Sequence, residues 1–247
     1  MILKEIKVMY KQTVLGFSWA IIRPVFSMII FSFIFGNLAK IPSDGIPYPI
    51  FTYSALVPWI YFSSSLTKSA GSLVQAVGIF TKIYFPRIYI PLAPILAGIL
   101  DFLISFSVLF LMMIYFKIKL SFNLLILPIL IFIIIITSFG MGLWLSALAI
   151  RFRDIRHAIQ YLIQLLMYAA PVVWPLSLLS EKFGSKLALY YSIYPMVGVI
   201  EGFRAALLND NIIPWDYIVI SFLSGSFILV SGILYFNSKE YTFSDVA

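Results

Sequence analysis

Of the chain's 247 residues, 62% are hydrophobic and 11% charged, and its mean hydropathy is +1.03. Water-soluble domains carry about 25% charged residues, so an ordinary soluble enzyme or binding module is excluded and a membrane protein expected. The net charge of +7 comes from Lys and Arg in short segments between apolar runs, which reads as membrane orientation and not as nucleic-acid binding. There is no cysteine, hence no disulfide framework and no thiolate metal site.

Residues 1–22 open the chain. Leu3, Ile6, Tyr10 and Val14 recur at helical spacing with Lys4, Lys7 and Lys11 on the neighbouring face, the pattern of a helix lying in an anionic membrane surface; a frayed basic terminus is the alternative. The start is charged and lacks an early apolar core or cleavage site, so no signal peptide is expected. Trp19 and Arg23 mark an interface, and Pro24 sits where a new helix can begin.

Six apolar runs follow, judged against the ~20 residues a helix needs to cross ~30 Å of hydrocarbon: Arg23–Ala39, Ile50–Ala70, Pro91–Phe116, Phe122–Ile150, Ala158–Leu179 and Trp215–Phe236. The expected fold is an all-α integral membrane protein, a single transmembrane domain over 1–247. It divides into an interface helix (1–22), spans one to five (23–179), an outer segment (180–214), span six (215–237) and a tail (238–247).

Lys and Arg counting sets the orientation. With both termini on the cytoplasmic side, that side holds Lys4, Lys7, Lys11, Arg23, Lys68, Lys82, Arg87, Arg151, Arg153, Arg156 and Lys239. The other side holds only Lys40, Lys117, Lys119, Lys182, Lys186 and Arg204, so both termini are expected inside. Arg151, Arg153 and Asp154 then form a tight cytoplasmic turn. The outer segment stays apolar over 187–208, broken by Tyr194-Pro195 and Gly198. It reads as short helices dipping into the outer leaflet, where irregular backbone must be covered by protein or water. Glu201 and Arg204 are three apart and share one helical face there, where each can neutralise the other.

Catalytic constellations are missing. The one histidine, His157, lies in a basic turn and reads as solvated or interfacial. No paired carboxylates stand at a working spacing, and no G-x-x-x-x-G-K-[ST] phosphate loop occurs. Asp101 is the one acid deep in a span. An ionised group there costs about 2.5–3.5 kcal/mol on insertion scales, so it is expected to face protein or water, in a structural hydrogen bond before a proton-coupling role. Tyr48, Tyr53, Trp59 and Tyr61 crowd the outer half of span two, and Trp174 the outer end of span five. Two readings stand for them: an interfacial aromatic belt, or a path on which flat rings stack against sugars.

The basic hairpin 75–94 (QAVGIFTKIYFPRIYIPLAP) interrupts two spans with Lys82, Arg87 and three prolines. Four segments carry a resemblance in order: KIYFPRIYIPLA (82–93), RFRDIRHAIQYLIQLLMYAAPVVWP (151–175), YPMVGVIEGFRAALL (194–208) and FNSKEYTFSDV (236–246). Together with the start YKQTVLGFSWAIIRP (10–24) and six spans, they resemble the permease subunit of type-2 ABC polysaccharide exporters, which serve O-antigen, capsule and teichoic acid export.

The resemblance implies an inner-membrane homodimer, each half with six transmembrane helices, an N-terminal amphipathic interface helix and short outer gate helices between spans five and six. Two copies of a separate cytoplasmic ATPase carry ATP and Mg, so no cofactor is expected in this chain. The implied substrate is an undecaprenyl-pyrophosphate-linked polysaccharide, and membrane lipid is a further partner. Lys82, Tyr84, Phe85, Pro86 and Arg87 would form the coupling and cytoplasmic gate segment, with Tyr194, Glu201 and Arg204 in the outer gate. Lys82 and Arg87 read either as contacts to a pyrophosphate head group or as positive-inside anchors. Set against this transport role without enzyme activity are a secondary carrier, disfavoured by the absence of inverted repeats, and a membrane enzyme on lipid-linked sugars, disfavoured by the shortage of acid–base residues.

Overall fold

The computed structural model describes residues 2, 5, 16–76, 78, 86–119, 121–152, 154–208 and 213–243, and among these every regular element is helical. That follows from composition: in hydrocarbon the backbone must satisfy its own N–H and C=O groups, and a helix does so within one segment.

Helix α1 (Trp19–Phe31) continues into a π-helical segment, Ser32–Leu38. It starts five residues before Pro24, which lies inside it. Pro24 has no N–H to offer the carbonyl of Ala20, and Ser105 Oγ of a neighbouring helix donates to that carbonyl instead, at 2.7 Å. Helix α2 (Tyr48–Gln75) begins with Pro49 in its first turn, and α3 covers Tyr89–Tyr115. A 3-10 turn, Phe122–Ile126, leads into α4 (Leu127–Arg151), and α5 covers Ile155–Ala169. Two short helices, α6 (Ser177–Phe183) and α7 (Ser185–Tyr191), hinge at Gly184, whose φ of +87° suits glycine. Helices α8 (Pro195–Leu207) and α9 (Trp215–Lys239) follow.

Among the described residues, four stretches have the length and hydropathy to cross a membrane: Trp19–Leu38, Tyr89–Tyr115, Phe122–Arg151 and Trp215–Lys239. The other two expected spans depart from that pattern for different reasons. Helix α2 is long enough, at 28 residues, but serine-rich. Its polarity is tolerated because it packs against α1, α3, α4 and α8, and Thr52, Ser54, Ser65 and Ser69 are buried. The run Ala158–Leu179 is not one helix. Helix α5 has 15 residues, about 22 Å at 1.5 Å each, and stops where Ala170, extended at ψ 145°, precedes Pro171.

Helix α4 lies between α2 and α9. Most of the buried core joins α2, α3, α4 and α8, while a second cluster of Leu73, Ile90, Leu143, Phe236 and Phe243 gathers at the opposite end. These two ends are called below the α8 end and the hairpin end.

The α4–α9 seam is close. A Cβ on Gly140 would stand 2.6 Å from the Leu229 backbone, and one on Gly232 would stand 2.4 Å from the Gly140 carbonyl oxygen. Small residues allow such backbone approach between membrane helices. Gly140→Ala or Gly232→Ala must separate the two helices, and overpacking of this kind costs about 1–3 kcal/mol. Each is expected to lower the unfolding temperature of the detergent-purified protein, whereas Gly78→Ala, where a Cβ meets nothing within 4 Å, is expected to leave it unchanged.

Candidate functional site

The break after α5 leaves the carbonyls of Ala169, Val172, Val173 and Trp174 without helical partners, and side chains of α2, α7 and α8 meet them. The Tyr191 hydroxyl on α7 donates to the Ala169 carbonyl, and the Tyr194 hydroxyl donates to the Leu166 carbonyl at 3.4 Å. The Tyr48 hydroxyl on α2 donates to the Val173 carbonyl at 2.6 Å. Arg204 on α8 supplies two more donors, with Nη2 2.9 Å from the Val172 carbonyl and Nη1 3.4 Å from that of Trp174.

Arg204 is itself held from two sides. Its Nη1 lies 2.7 Å from Glu201 Oε1, one helical turn earlier, and its guanidinium carbon lies 3.7 Å from the centre of the Phe51 ring. The Leu176 N–H donates to the same Glu201 oxygen at 3.4 Å. Burial pushes the Glu201 carboxyl up and the Arg204 guanidinium down, and the contact between them opposes both shifts. A guanidinium does not lose its proton in proteins, and the charged Arg204, held by Glu201, pins the 170–176 connection onto α8. The loop before α2 joins the same assembly, with Ser177 Oγ donating to Asp44 Oδ1 at 2.9 Å.

The structure thus brings together Tyr48, Trp174, Tyr194, Glu201 and Arg204, which the sequence places in two separate groups. Trp174 is half-buried and packs against Tyr191, 6.0 Å between ring centres. Tyr53, Trp59 and Tyr61, expected in an interfacial belt or along a glycan path, are packed among the helices at 0%, 3% and 3% exposure. The hydroxyls of Tyr53 and Tyr61 donate to α3 carbonyls, to Ser105 at 3.1 Å and Ile95 at 3.0 Å, and therefore cross-link α2 to α3.

At the hairpin end, Lys82, Tyr84 and Phe85 lie outside the described residues, as does Arg153 in the next turn. Pro86 is exposed; Arg87 is half-buried and its Nη1 donates to the Glu240 carbonyl after α9. Phe243 packs on Phe236 at 5.3 Å between ring centres, so the end of the described chain is folded against the root of the hairpin. Arg151 closes α4 with its guanidinium 5.4 Å from the Phe152 ring. The Asp154 carbonyl accepts from the His157 and Ala158 N–H groups and opens α5.

Sequence reading missed two contacts. Asp101 has Lys68 beside it, with Nζ 4.0 Å from Oδ2, and the acceptors of Arg204 lie about thirty positions earlier in the chain. The prolines at 171 and 175 were the available signal for those acceptors, because they mark backbone that cannot bond to itself.

Removing one partner of a buried ion pair costs about 3–5 kcal/mol, so Arg204→Ala is expected to destabilise the protein strongly. Replacing both partners often restores stability when charge neutralisation is the whole role. Here Arg204 also serves two carbonyls, and hydrogen bonds to charged groups contribute about 1.5–3 kcal/mol. The double variant Glu201→Leu/Arg204→Leu is therefore expected to remain below wild type in thermal unfolding, and full recovery would remove the clamping role.

Comparison with known proteins matches residues 1–208 to the ABC-2 type transporter family. The O-antigen export system permease protein RfbA of Klebsiella pneumoniae is 30% identical over 244 residues, 98% of this chain and 92% of its own length. A protein of the same name in Myxococcus xanthus is 25% identical over 210 residues, covering 85% of this chain and 79% of its own. The polysialic acid transport protein KpsM of Escherichia coli is 28% identical over 221 residues, covering 85% and 80%. A match over residues 1–208, on a chain with four helices long and apolar enough to cross a bilayer, makes this a multi-pass membrane protein of the ABC-2 type transporter family.

Proposed function

We propose that this chain is the membrane permease of an ATP-driven exporter of lipid-linked polysaccharide in the bacterial inner membrane. In this reading it works as a homodimer with two copies of a separate cytoplasmic ATPase subunit, which supplies ATP and Mg. The observation that carries the reading is the likeness, over 98% of the chain, to an O-antigen export permease. The O-antigen-like substrate, joined to undecaprenyl pyrophosphate, is part of the proposal, as is a chain that moves glycan without catalysing a reaction on it.

Six crossings fit this reading when α2 and α5 are counted with the four apolar helices. At 28 residues, α2 is about 42 Å long, and its neighbours shield its serines from lipid. Helix α5 completes its crossing through the non-helical segment 170–176, which is covered by α8 as irregular backbone at membrane depth requires. Its exposed face carries Gln160, Tyr161, Gln164 and Tyr168 beside Leu162 and Leu165, and the amides and rings suit a sugar path between two protomers. That face is a better candidate than Tyr53 or Trp59, which are occupied in the core.

In the proposed cycle, ATP closure pushes the hairpin end between α2 and α3, where Lys82, Tyr84, Phe85, Pro86 and Arg87 belong to the coupling and gate segment. In this reading the turn of Arg151, Arg153 and Asp154 belongs to the same cytoplasmic side. The Arg87–Glu240 contact and the cluster of Leu73, Ile90, Phe236 and Phe243 pass the push to α9. At the other end, Tyr194, Glu201 and Arg204 hold the outer gate.

Reconstitution, mutation and labelling test this. The chain co-purified with its ATPase and placed in proteoliposomes is expected to hydrolyse ATP faster when lipid-linked glycan is added. Transport by the chain alone, driven by a proton gradient, would instead establish a carrier. Arg87→Ala is expected to lower glycan-stimulated hydrolysis at least about tenfold, the factor for ~1.4 kcal/mol; unchanged coupling and export would remove the hairpin from the mechanism. Because the chain has no native cysteine, Ser185→Cys is expected to label from the outer face and Ser238→Cys from the cytoplasmic face.

A further inference from the structure

A cavity of about 250 Å³ opens between the start of α1, the middle of α2 and the middle of α3. Its lining carries both signs of charge: Arg23 from α1, Lys68 from α2 and Asp101 from α3, with the hydroxyl-bearing Ser64 and Ser105 between them. Glu5 adds a second carboxylate within electrostatic reach of Lys68. Lys68 Nζ and Asp101 Oδ2 stand 4.0 Å apart, their side chains 38% and 35% exposed. Both groups are engaged as this ion pair at the cavity wall, and their partial exposure opens into the cavity.

The cavity has a defined height. Ser105 Oγ bonds the Ala20 carbonyl in the first turn of α1, so these charges stand level with the beginning of α1 and, across the cavity, with the middle of α3. Trp19 lies beside them, with the Arg23 guanidinium 5.6 Å from its ring centre, the aromatic and basic pairing of a membrane interface. Above, the face of α1 that carries Trp19 and Arg23 continues as Phe26, Ile30 and Phe33, at spacings of three and four, all exposed. A polar cavity containing both charges therefore opens at the foot of an apolar track.

We infer that this cavity binds the phosphoethanolamine head group of a membrane phospholipid, with its phosphate against Arg23 and Lys68, its ammonium against Asp101, and an acyl chain along Phe26, Ile30 and Phe33. The mixture of charges selects a zwitterion over a purely anionic lipid, because an anion would leave the carboxylates opposed to it. The volume falls below the ~300–1,000 Å³ of sites that enclose a whole small ligand, so a head group enters and the chains stay in the bilayer. The inference rests on the membrane reading of α1 and stands whether or not a glycan is the cargo.

Native mass spectrometry of the full-length chain, delipidated in detergent and titrated with single lipids, tests it. Phosphatidylethanolamine is expected to bind at least tenfold tighter than phosphatidylcholine, whose methylated ammonium cannot donate to Asp101. Asp101→Asn is expected to bring the two lipids to within about twofold, and Arg23→Gln to weaken both at least tenfold. Ser64→Leu, which fills the cavity and keeps every charge, is expected to abolish the preference while the protein elutes unchanged in size exclusion. Equal binding of the two lipids to wild type, or binding indifferent to Arg23→Gln and Ser64→Leu, would overturn the inference. Tighter binding of phosphatidylglycerol would overturn it in favour of an anionic lipid, and tighter binding of a polyprenyl diphosphate in favour of the transported substrate.

Discussion

The interaction on which the α8 end depends is the Arg204 guanidinium. It satisfies the carbonyls of Val172 and Trp174, pairs with Glu201 and rests on the Phe51 ring. Each contact answers a need created by another. The carbonyls lack partners because Pro171 and Pro175 interrupt the helix, an unpaired guanidinium would be too costly to bury, and Glu201 would be equally costly without it. The charges are tolerated because the broken backbone needs donors, and the broken backbone is tolerated because the charges are there.

The same accounting explains the tyrosines. Tyr48, Tyr53, Tyr61, Tyr191 and Tyr194 each donate a hydroxyl hydrogen to a carbonyl on another element. A tyrosine provides this at modest cost, since its ring is apolar and only its tip is polar. In a chain without cysteine, and so without disulfides, such side-chain-to-backbone bonds fix how the helices sit against one another.

How much of this was legible depended on the range of the contact. The long apolar runs of α3, α4 and α9 announce themselves, because a lipid-facing helix must be apolar along its whole length. The ion pair was readable too, since Glu201 and Arg204 are three residues apart and a helix brings them together. What they hold was not readable: Val172 and Trp174 lie outside any local pattern, and a hydropathy run passes smoothly over Pro171. Asp101 appeared to lie alone near the middle of a span for a similar reason. Lys68 reaches it only because of the register between α2 and α3, and the Ser105–Ala20 bond shows that α1 begins level with it.

Helix α2 shows why hydropathy and position diverge. It is polar where the other long helices are greasy, yet it is among the most deeply buried, because a helix surrounded by helices answers to packing and not to lipid. Both ends of the molecule meet on it: Tyr48 and Phe51 touch the clamped connection, and Leu73 belongs to the cluster that includes Phe236 and Phe243. Between them its tyrosines tie it to α3, and Ser69 faces Gly142 of α4, whose missing Cβ leaves the room. In the proposed cycle a push on the hairpin therefore meets one continuous helix leading to the outer clamp. Its length, and not a chain of separate contacts, would carry the displacement. The serines that make α2 look unsuited to a membrane are what let its neighbours approach closely enough for that.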